Sequence, residues 1–274
     1  MRCTNRNSDV FMSFIENEQD KVVFMTSPNI QTTHAFTTRI GGVSKGIYKS
    51  LNLAQRSGDE EENIKENYSL LCKAIGISTD NIVCSNQVHG TYVRVVTKND
   101  CGFLFMPNHF QADALITQTP EVALMVFTAD CVPILLYDPE KKVVGAIHAG
   151  WRSTAANIVG VAVRTMTLEY GCSPADIKAA IGPSISRCCF ITDEDVAEAI
   201  KKALPLNPDD CIKKHGRKYM IDLKETNRIL LTNAGLTDIT ISDECTSCQS
   251  NKYWSHRKTH GNRGSQVAVI SMPR

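Results

Sequence analysis

The stretch 122–157 reads VALMVFTADCVPILLYDPEKKVVGAIHAGWRSTAAN, and its reading decides the fold. Segments 122–127 and 132–137 are apolar, rich in β-branched residues and of strand length, as is 143–147. Between the first two lies Thr128-Ala129-Asp130-Cys131, polar and sulfur-bearing inside an otherwise apolar region. Asp138-Pro139 followed by Glu140-Lys141-Lys142 predicts a turn. The third strand runs directly into His148-Ala149-Gly150-Trp151-Arg152. Ser153 or Thr154 can then cap a helix continuing to Tyr170, with Gly171 just past its end. A Cys, an Asp, a His and an Arg therefore stand at strand ends or at a helix start. Backbones are fixed there, which suits groups that do chemistry.

Outward from this stretch, the chain reads as strand-rich with helices interspersed. Segments 21–26, 34–39, 81–85, 88–96, 112–117, 177–181, 239–241 and 266–271 are β-like. Ser57 and Glu60 have capping-box spacing ahead of an apolar stripe at Ile64, Tyr68, Leu71 and Ile75, closed by Gly76. Residues 192–204 form a helical pattern, and 205–216 read as a loop. Asp222 and Glu225 open a further helix that ends at Gly235. No regular βαβ alternation is present, so the order predicts an α+β fold, a single domain of mixed β-sheets with flanking helices. Residues 1–20 are expected to be a flexible N-terminal segment, and 21–274 the domain.

The 274 residues carry a formal net charge of +1, with 42% apolar and 22% charged residues. That balance gives no electrostatic reason to expect a nucleic acid or an anionic membrane as partner. No apolar run approaches the ~20 residues needed to span a bilayer, and the N-terminus has no signal-peptide core. The eleven Cys residues are odd in number and irregular in spacing, which argues against a disulfide scaffold. Reduced thiols in a cytoplasmic protein are the expectation.

Several motifs could carry chemistry. Gly42-Val43-Ser44-Lys45-Gly46 matches G-x-S-x-G, but no helical stripe follows it, so a nucleophile elbow does not fit. An anion-binding loop flanked by Arg39 and Lys45 fits better, as does a plain surface turn. Cys245-x-x-Cys248 with His256-x-x-x-His260 invites a zinc reading, although the gap is too short for a finger and no ββα pattern surrounds it. His89, in Asn86-Gln87-Val88-His89-Gly90, can join Cys131 and His148 as three N/S ligands with an open position, a set suited to catalytic zinc or copper. A Cys131–His148 nucleophilic pair is the competing reading.

At these residues the chain resembles a known family. Segments 148–152 (HAGWR), 128–134 (TADCVPI) and 86–90 (NQVHG) are similar to motifs of the laccase-domain proteins, once named multicopper polyphenol oxidases and now described as purine nucleoside phosphorylases with adenosine deaminase activity. Segments 37–44 (TTRIGGVS), 50–53 (SLNL), 181–185 (IGPSI) and 254–258 (WSHRK) extend the resemblance. The resemblance implies a fold akin to the catalytic domain of cytotoxic necrotizing factor toxins. It also implies Zn²⁺, with copper an alternative, held by His89, Cys131 and His148. The substrates it implies are purine nucleosides and phosphate. In the deaminase reaction Asp130 is the candidate proton carrier, with Asp113 in reserve. Phosphorolysis needs cations and polar donors on the phosphate, and Arg39, Ser44, Asn52, Arg152 and Arg257 are the candidates. The closing motif carries Arg257-Lys258 where the family usually has two arginines, and Lys lacks the bidentate fork. A true multicopper oxidase needs many clustered His and Cys ligands, whereas the seven His here are scattered. A Cys-His hydrolase or deamidase and a non-catalytic metal binder are the remaining alternatives.

Overall fold

The computed structural model describes residues 13–102, 104–105, 110–204, 206 and 208–273. In chain order its strands begin with β1 (Ile15–Gln19), β2 (Val22–Thr26), β3 (Thr33–Thr37), β4 (Ile82–Val83) and β5 (Val93–Val95). Next come β6 (Ala114–Thr117), β7 (Ala123–Thr128), β8 (Val132–Asp138), β9 (Val143–Ala149) and β10 (Lys178–Ile181). The last are β11 (Ile191–Thr192), β12 (Ile212–His215), β13 (Lys218–Ile221), β14 (Asp238–Ile241) and β15 (Gln266–Ser271). The α-helices are α1 (Glu61–Ile75), α2 (Trp151–Ala155), α3 (Ile158–Tyr170), α4 (Glu194–Ala203), α5 (Leu223–Asn233) and α6 (His256–Thr259).

Two six-stranded mixed sheets carry the domain. One has the order β1-β2-β3-β15-β7-β4, the other β14-β10-β8-β9-β6-β5, and β11-β13-β12 form a small third sheet. Strand alternation makes the layers. In β8, Leu135 and Tyr137 join Leu124, Val126, Ala268 and Ile270 of the first sheet in one core. The neighbouring Val132, Ile134 and Leu136 face the other way, onto α3, α4 and α5. In β7 and β15, Met125, Val267 and Val269 pack with Leu71 and Tyr68 of α1. The architecture is thus helix, sheet, sheet, helices: a single α+β domain. Strands buried on both faces read as continuous apolar runs, which is why the 122–149 segment is so uniformly greasy. Burying each Leu or Ile of β8 contributes about 1.5–3 kcal/mol.

Local expectations fared unevenly. Asp222 Oδ1 accepts the Glu225 N–H at 3.0 Å and caps α5 as its spacing predicts. Ser57 does not cap α1; Glu60 holds the N-cap position, while Ser57 Oγ donates to Ala54 O and accepts from Asn52. The single helix expected after Ser153 is two, because Asn157 turns left-handed (φ 60°) and caps α3 through Gly160 N–H. Residues 212–221, expected as loop up to Gly216, form the β12–β13 hairpin. Of the segment 1–20, residues 1–12 lie outside the described residues, and Ile15–Gln19 pair with β2. Among the described residues no helix is long and apolar enough to cross a membrane.

Candidate metal centre

The chain changes sheets at Thr128-Ala129-Asp130-Cys131, between β7 and β8. Asp130 adopts φ 93°, in the left-handed half of the map that side chains avoid. This irregular turn lets Asp130 and Cys131, neighbours that would diverge on a strand, line the same cavity. On the paired strand β9, His148 lies opposite Pro133. It shares the face of Val144 and Ala146, so its ring sits at the rim between the two sheets. His89 comes from the loop after β4, also at positive φ (60°). Strained backbone of this kind persists only where the surroundings over-determine it.

Asp113 supplies that determination. Its Oδ1 accepts from His89 N–H (3.0 Å) and His148 Nδ1 (2.8 Å). Its Oδ2 accepts from Val88 N–H (3.1 Å) and Gly90 N–H (2.7 Å). Burial would raise the Asp113 pKa, but His148 and the Gly90 and Val88 N–H groups outweigh it and hold it below the ordinary carboxylate value. One carboxylate therefore folds the 88–90 loop and orients the imidazole. Gln87 adds a second clamp, its amide exchanging hydrogen bonds with Phe127 N–H (2.7 Å) and O (2.8 Å) as a strand residue would.

The outcome is a cluster in which one ligand atom from each of His89, Cys131 and His148 lies within 4.8 Å of the others. Cys131 Sγ is 3.9 Å from His89 Nε2, and the two imidazole rings meet edge to face at 4.8 Å. Gly150, the N-cap of α2, makes the approach possible. A Cβ there would stand 2.7 Å from His89 Cδ2 and 3.4 Å from Cys131 Sγ. Burial pushes the Cys131 thiol up, but the charge and hydrogen bond of His148, then those of His89, bring it down to about 6. Burial likewise disfavours the His148 imidazolium, yet Cys131 and Asp113 raise it to about 9. The donor set fits a cation: thiolate plus two imidazoles, one locked through Nδ1 by a carboxylate as metal-ligating histidines are.

Two cavities meet at His89, Ala129, Cys131 and Arg263. The larger, about 270 Å³, is lined also by Gln55, Arg56, Thr128 and Ser265. Thr128 Oγ1 and Arg263 Nε in its lining are buried and find no hydrogen-bond partner among the described residues. The smaller, about 200 Å³, is walled by Trp151, Ile185, Phe190, Leu223 and Arg257.

Of the remaining expected residues, Asp130 and Arg257 line the smaller cavity and the others lie outside both. Asp130 is buried; its Oδ1 accepts from Thr246 Oγ1 (2.7 Å) and its Oδ2 from Arg257 N–H (2.6 Å). Arg257 lines the smaller cavity, with Nη1 donating to Cys189 O (2.9 Å) and Ile191 O (3.0 Å). Arg152 is exposed and stacks on the Trp151 ring at 4.2 Å. Arg39, Ser44 and Asn52, expected near phosphate, line neither cavity. Arg39 lies 3.8 Å over the Trp254 ring and donates to Lys49 O and Ser250 O. Ser44 Oγ accepts from Asn67 Nδ2 (2.8 Å). Asn52, fully buried, donates to Ser57 and Asp59 and accepts from Ala54 N–H and Ser265 N–H. These groups bind the glycine loop to the rest of the chain. Arg56 and Arg263 belong to no motif that marks them: Arg263 is one of several basic residues near His256 and His260, and its type alone does not say that it is half-buried between two cavities.

Comparisons with known proteins give the family. Residues 33–273 match the family model described as multi-copper polyphenol oxidoreductase laccase, and the chain belongs to that family. A Deinococcus radiodurans protein named purine nucleoside phosphorylase is 40% identical, over 91% of this chain and 93% of its own. A protein from an unknown prokaryotic organism named adenosine deaminase RL5 is 32% identical, over 92% and 98%. The crystal structure of YlmD from Geobacillus stearothermophilus superposes with a TM-score of 0.90 at 33% identity, covering 97% of this chain and 100% of that one. Such relatives indicate an enzyme of the purine nucleoside phosphorylase or adenosine deaminase type.

Proposed function

We propose that the chain is a zinc-dependent purine nucleoside phosphorylase with adenosine deaminase activity, acting on adenosine, inosine, guanosine and methylthioadenosine. The observation that carries this reading is the His89–Cys131–His148 cluster, locked by Asp113 and opening on two cavities of different character. Relatives named for both activities support it. Zinc at these three ligands would supply Lewis acidity and a more acidic hydrolytic water.

The smaller, aromatic-walled cavity suits a purine, held between apolar faces with Trp151 and Phe190. The larger cavity suits the ribose and phosphate, with Arg56 and Arg263 in its lining as guanidinium groups. In phosphorolysis the C1′–N9 bond breaks as a phosphate oxygen bonds to C1′, and the departing base takes a proton. In deamination water adds at C6 and ammonia leaves. Asp130 is the proton carrier in this reading. A carboxylate has about four lone-pair sites; all four on Asp113 are taken by the contacts above, whereas Asp130 accepts two hydrogen bonds among the described residues. A reducing, cytoplasmic setting would keep Cys131 available as a ligand.

One observation favours a second reading. Cys131 near 6 beside His148 near 9 is a thiolate–imidazolium pair, the arrangement of a Cys-His hydrolase or deamidase, and the toxin-like fold that the sequence resemblance implies would belong with it. Copper oxidation of phenols is the third, since His₂Cys also accepts copper. Turnover of each nucleoside with and without phosphate, before and after chelation, separates them. Chelator-sensitive, phosphate-dependent release of free base is expected; base release that survives metal removal would contradict the zinc reading.

A further inference from the structure

Cys245 and Cys248, the C-x-x-C pair of the sequence, do not find His256 or His260 in the structure. They meet the adjacent Cys188 and Cys189, sixty residues upstream. Cys188 Sγ lies 3.8 Å from Cys189 Sγ and 3.6 Å from Cys248 Sγ, and Cys189 Sγ lies 3.4 Å from Cys248 Sγ. All four sulfurs fall within 4.8 Å of one another.

These separations fit ligands rather than bonded pairs. A disulfide places its sulfurs at about 2.05 Å. Four thiolates at about 2.3 Å from a tetrahedral zinc stand roughly 3.8 Å apart. The Ser186 N–H points at Cys245 Sγ at 3.4 Å, and those of Ser247 and Cys248 also donate to it. Backbone donors of this kind stabilise a sulfur that carries negative charge. The donor set is all sulfur, which selects zinc-class cations over hard ones.

We propose that Cys188, Cys189, Cys245 and Cys248 form a second metal site, a closed tetrathiolate that takes one zinc-class cation. Binding forms four metal–sulfur bonds and releases thiol protons to solvent; nothing is oxidised. The site ties together two segments that build one wall of the smaller cavity. Ser184 bridges to Cys245, and Thr246 N–H donates to Ser184 O at 3.1 Å. Ile185 and Phe190 line the cavity on one side of this staple. Thr246 on the other holds Asp130, and Cys189 O receives Arg257. The role is structural: four protein ligands leave no open position, and the metal fixes the wall rather than the reacting atoms.

The site shares no ligand with His89, Cys131 or His148, so it can be tested apart from them. The full-length Cys131→Ala protein, reduced and supplied with Zn²⁺, is analysed for bound zinc after desalting. One equivalent per chain is expected, falling to none when Cys188→Ser and Cys248→Ser are added. X-ray absorption on the Cys131→Ala protein reads the coordination directly, whether or not the serine variant folds. Four sulfurs at about 2.3 Å support the site. Nitrogen or oxygen ligands, zinc content indifferent to the serine changes, no zinc uptake by reduced protein, or a native disulfide among the four would overturn it.

Discussion

Asp113 accepts a 2.8 Å hydrogen bond from His148 Nδ1, and this fixes the imidazole with Nε2 towards Cys131. The same carboxylate gathers the Val88, His89 and Gly90 N–H groups. Replacing it with Asn keeps the size but removes the charge and turns one acceptor into a donor. Asp113→Asn is expected to weaken metal binding by about 10–100-fold, the usual cost of losing such a partner. Competition against a chelator of known affinity measures this; unchanged affinity would mean that Asp113 does not orient a ligand.

Gly150 offers a test of cluster geometry without touching a ligand. A methyl group there meets His89 Cδ2 at 2.7 Å, closer than Cβ contacts occur. Because His89 stands on a loop, it yields before α2 does. Gly150→Ala is expected to lose most activity and metal affinity while its thermal midpoint moves by only a few degrees, as for a change of about 1 kcal/mol. Circular dichroism melts beside metal analysis check it; full metal retention would contradict the packing argument.

Arg39 separates a structural from a substrate role. Its guanidinium lies over Trp254 and its N–H groups reach Lys49 O and Ser250 O, joining the glycine loop to the 250–254 segment. Arg39→Ala is expected to cost about 2–3 kcal/mol of stability, from lost cation–π contact and hydrogen bonds. The KM for phosphate should change little at a temperature where the variant is folded. A KM raised tenfold or more with stability intact would return Arg39 to the phosphate site.

The sign of the Cys131 shift gives a pH prediction for metal-free protein. Burial opposes the thiolate, but His148 and His89 prevail and place it near 6. The reactive thiolate fraction therefore rises through pH 6 and levels off by about pH 7, whereas an ordinary thiol keeps rising through about 8.5. Alkylation of Cys131 with iodoacetamide, followed by peptide mass spectrometry, should show that plateau. Cys72 and Cys172, pushed up to about 12 by burial, serve as slow internal references. A Cys131 rate still climbing at pH 8 would contradict the pairing.

Much of this site is written in residue types at particular places. His89, Cys131 and His148 are recognisable because soft and borderline ligands at the ends of apolar runs are unusual, and the uniform burial of 122–149 shows as continuous apolar sequence. What the chain hides is long-range. Nothing near Asp113 says that it will take four donors from residues 88–90 and 148. Arg39 and Asn52 carry the right groups for phosphate, but their partners are backbone oxygens and amides supplied by the fold. The β12–β13 hairpin escapes because Lys213, Lys214 and Lys218 lie on a small exposed sheet with little apolar alternation. The Cys188–Cys189 pair carries no metal-ligand spacing in sequence, and only the β10 and β14 ends bring Cys245 and Cys248 against it.

The central claim is that a metal held by Cys131 and its two histidines carries nucleoside turnover. Cys131→Ala removes one ligand without enlarging the side chain. Assayed with adenosine and phosphate, the variant should fall to background for both adenine release and inosine formation, with its His89/His148 site unable to retain zinc. Adenine release by Cys131→Ala at more than a small fraction of the parent rate would contradict the account.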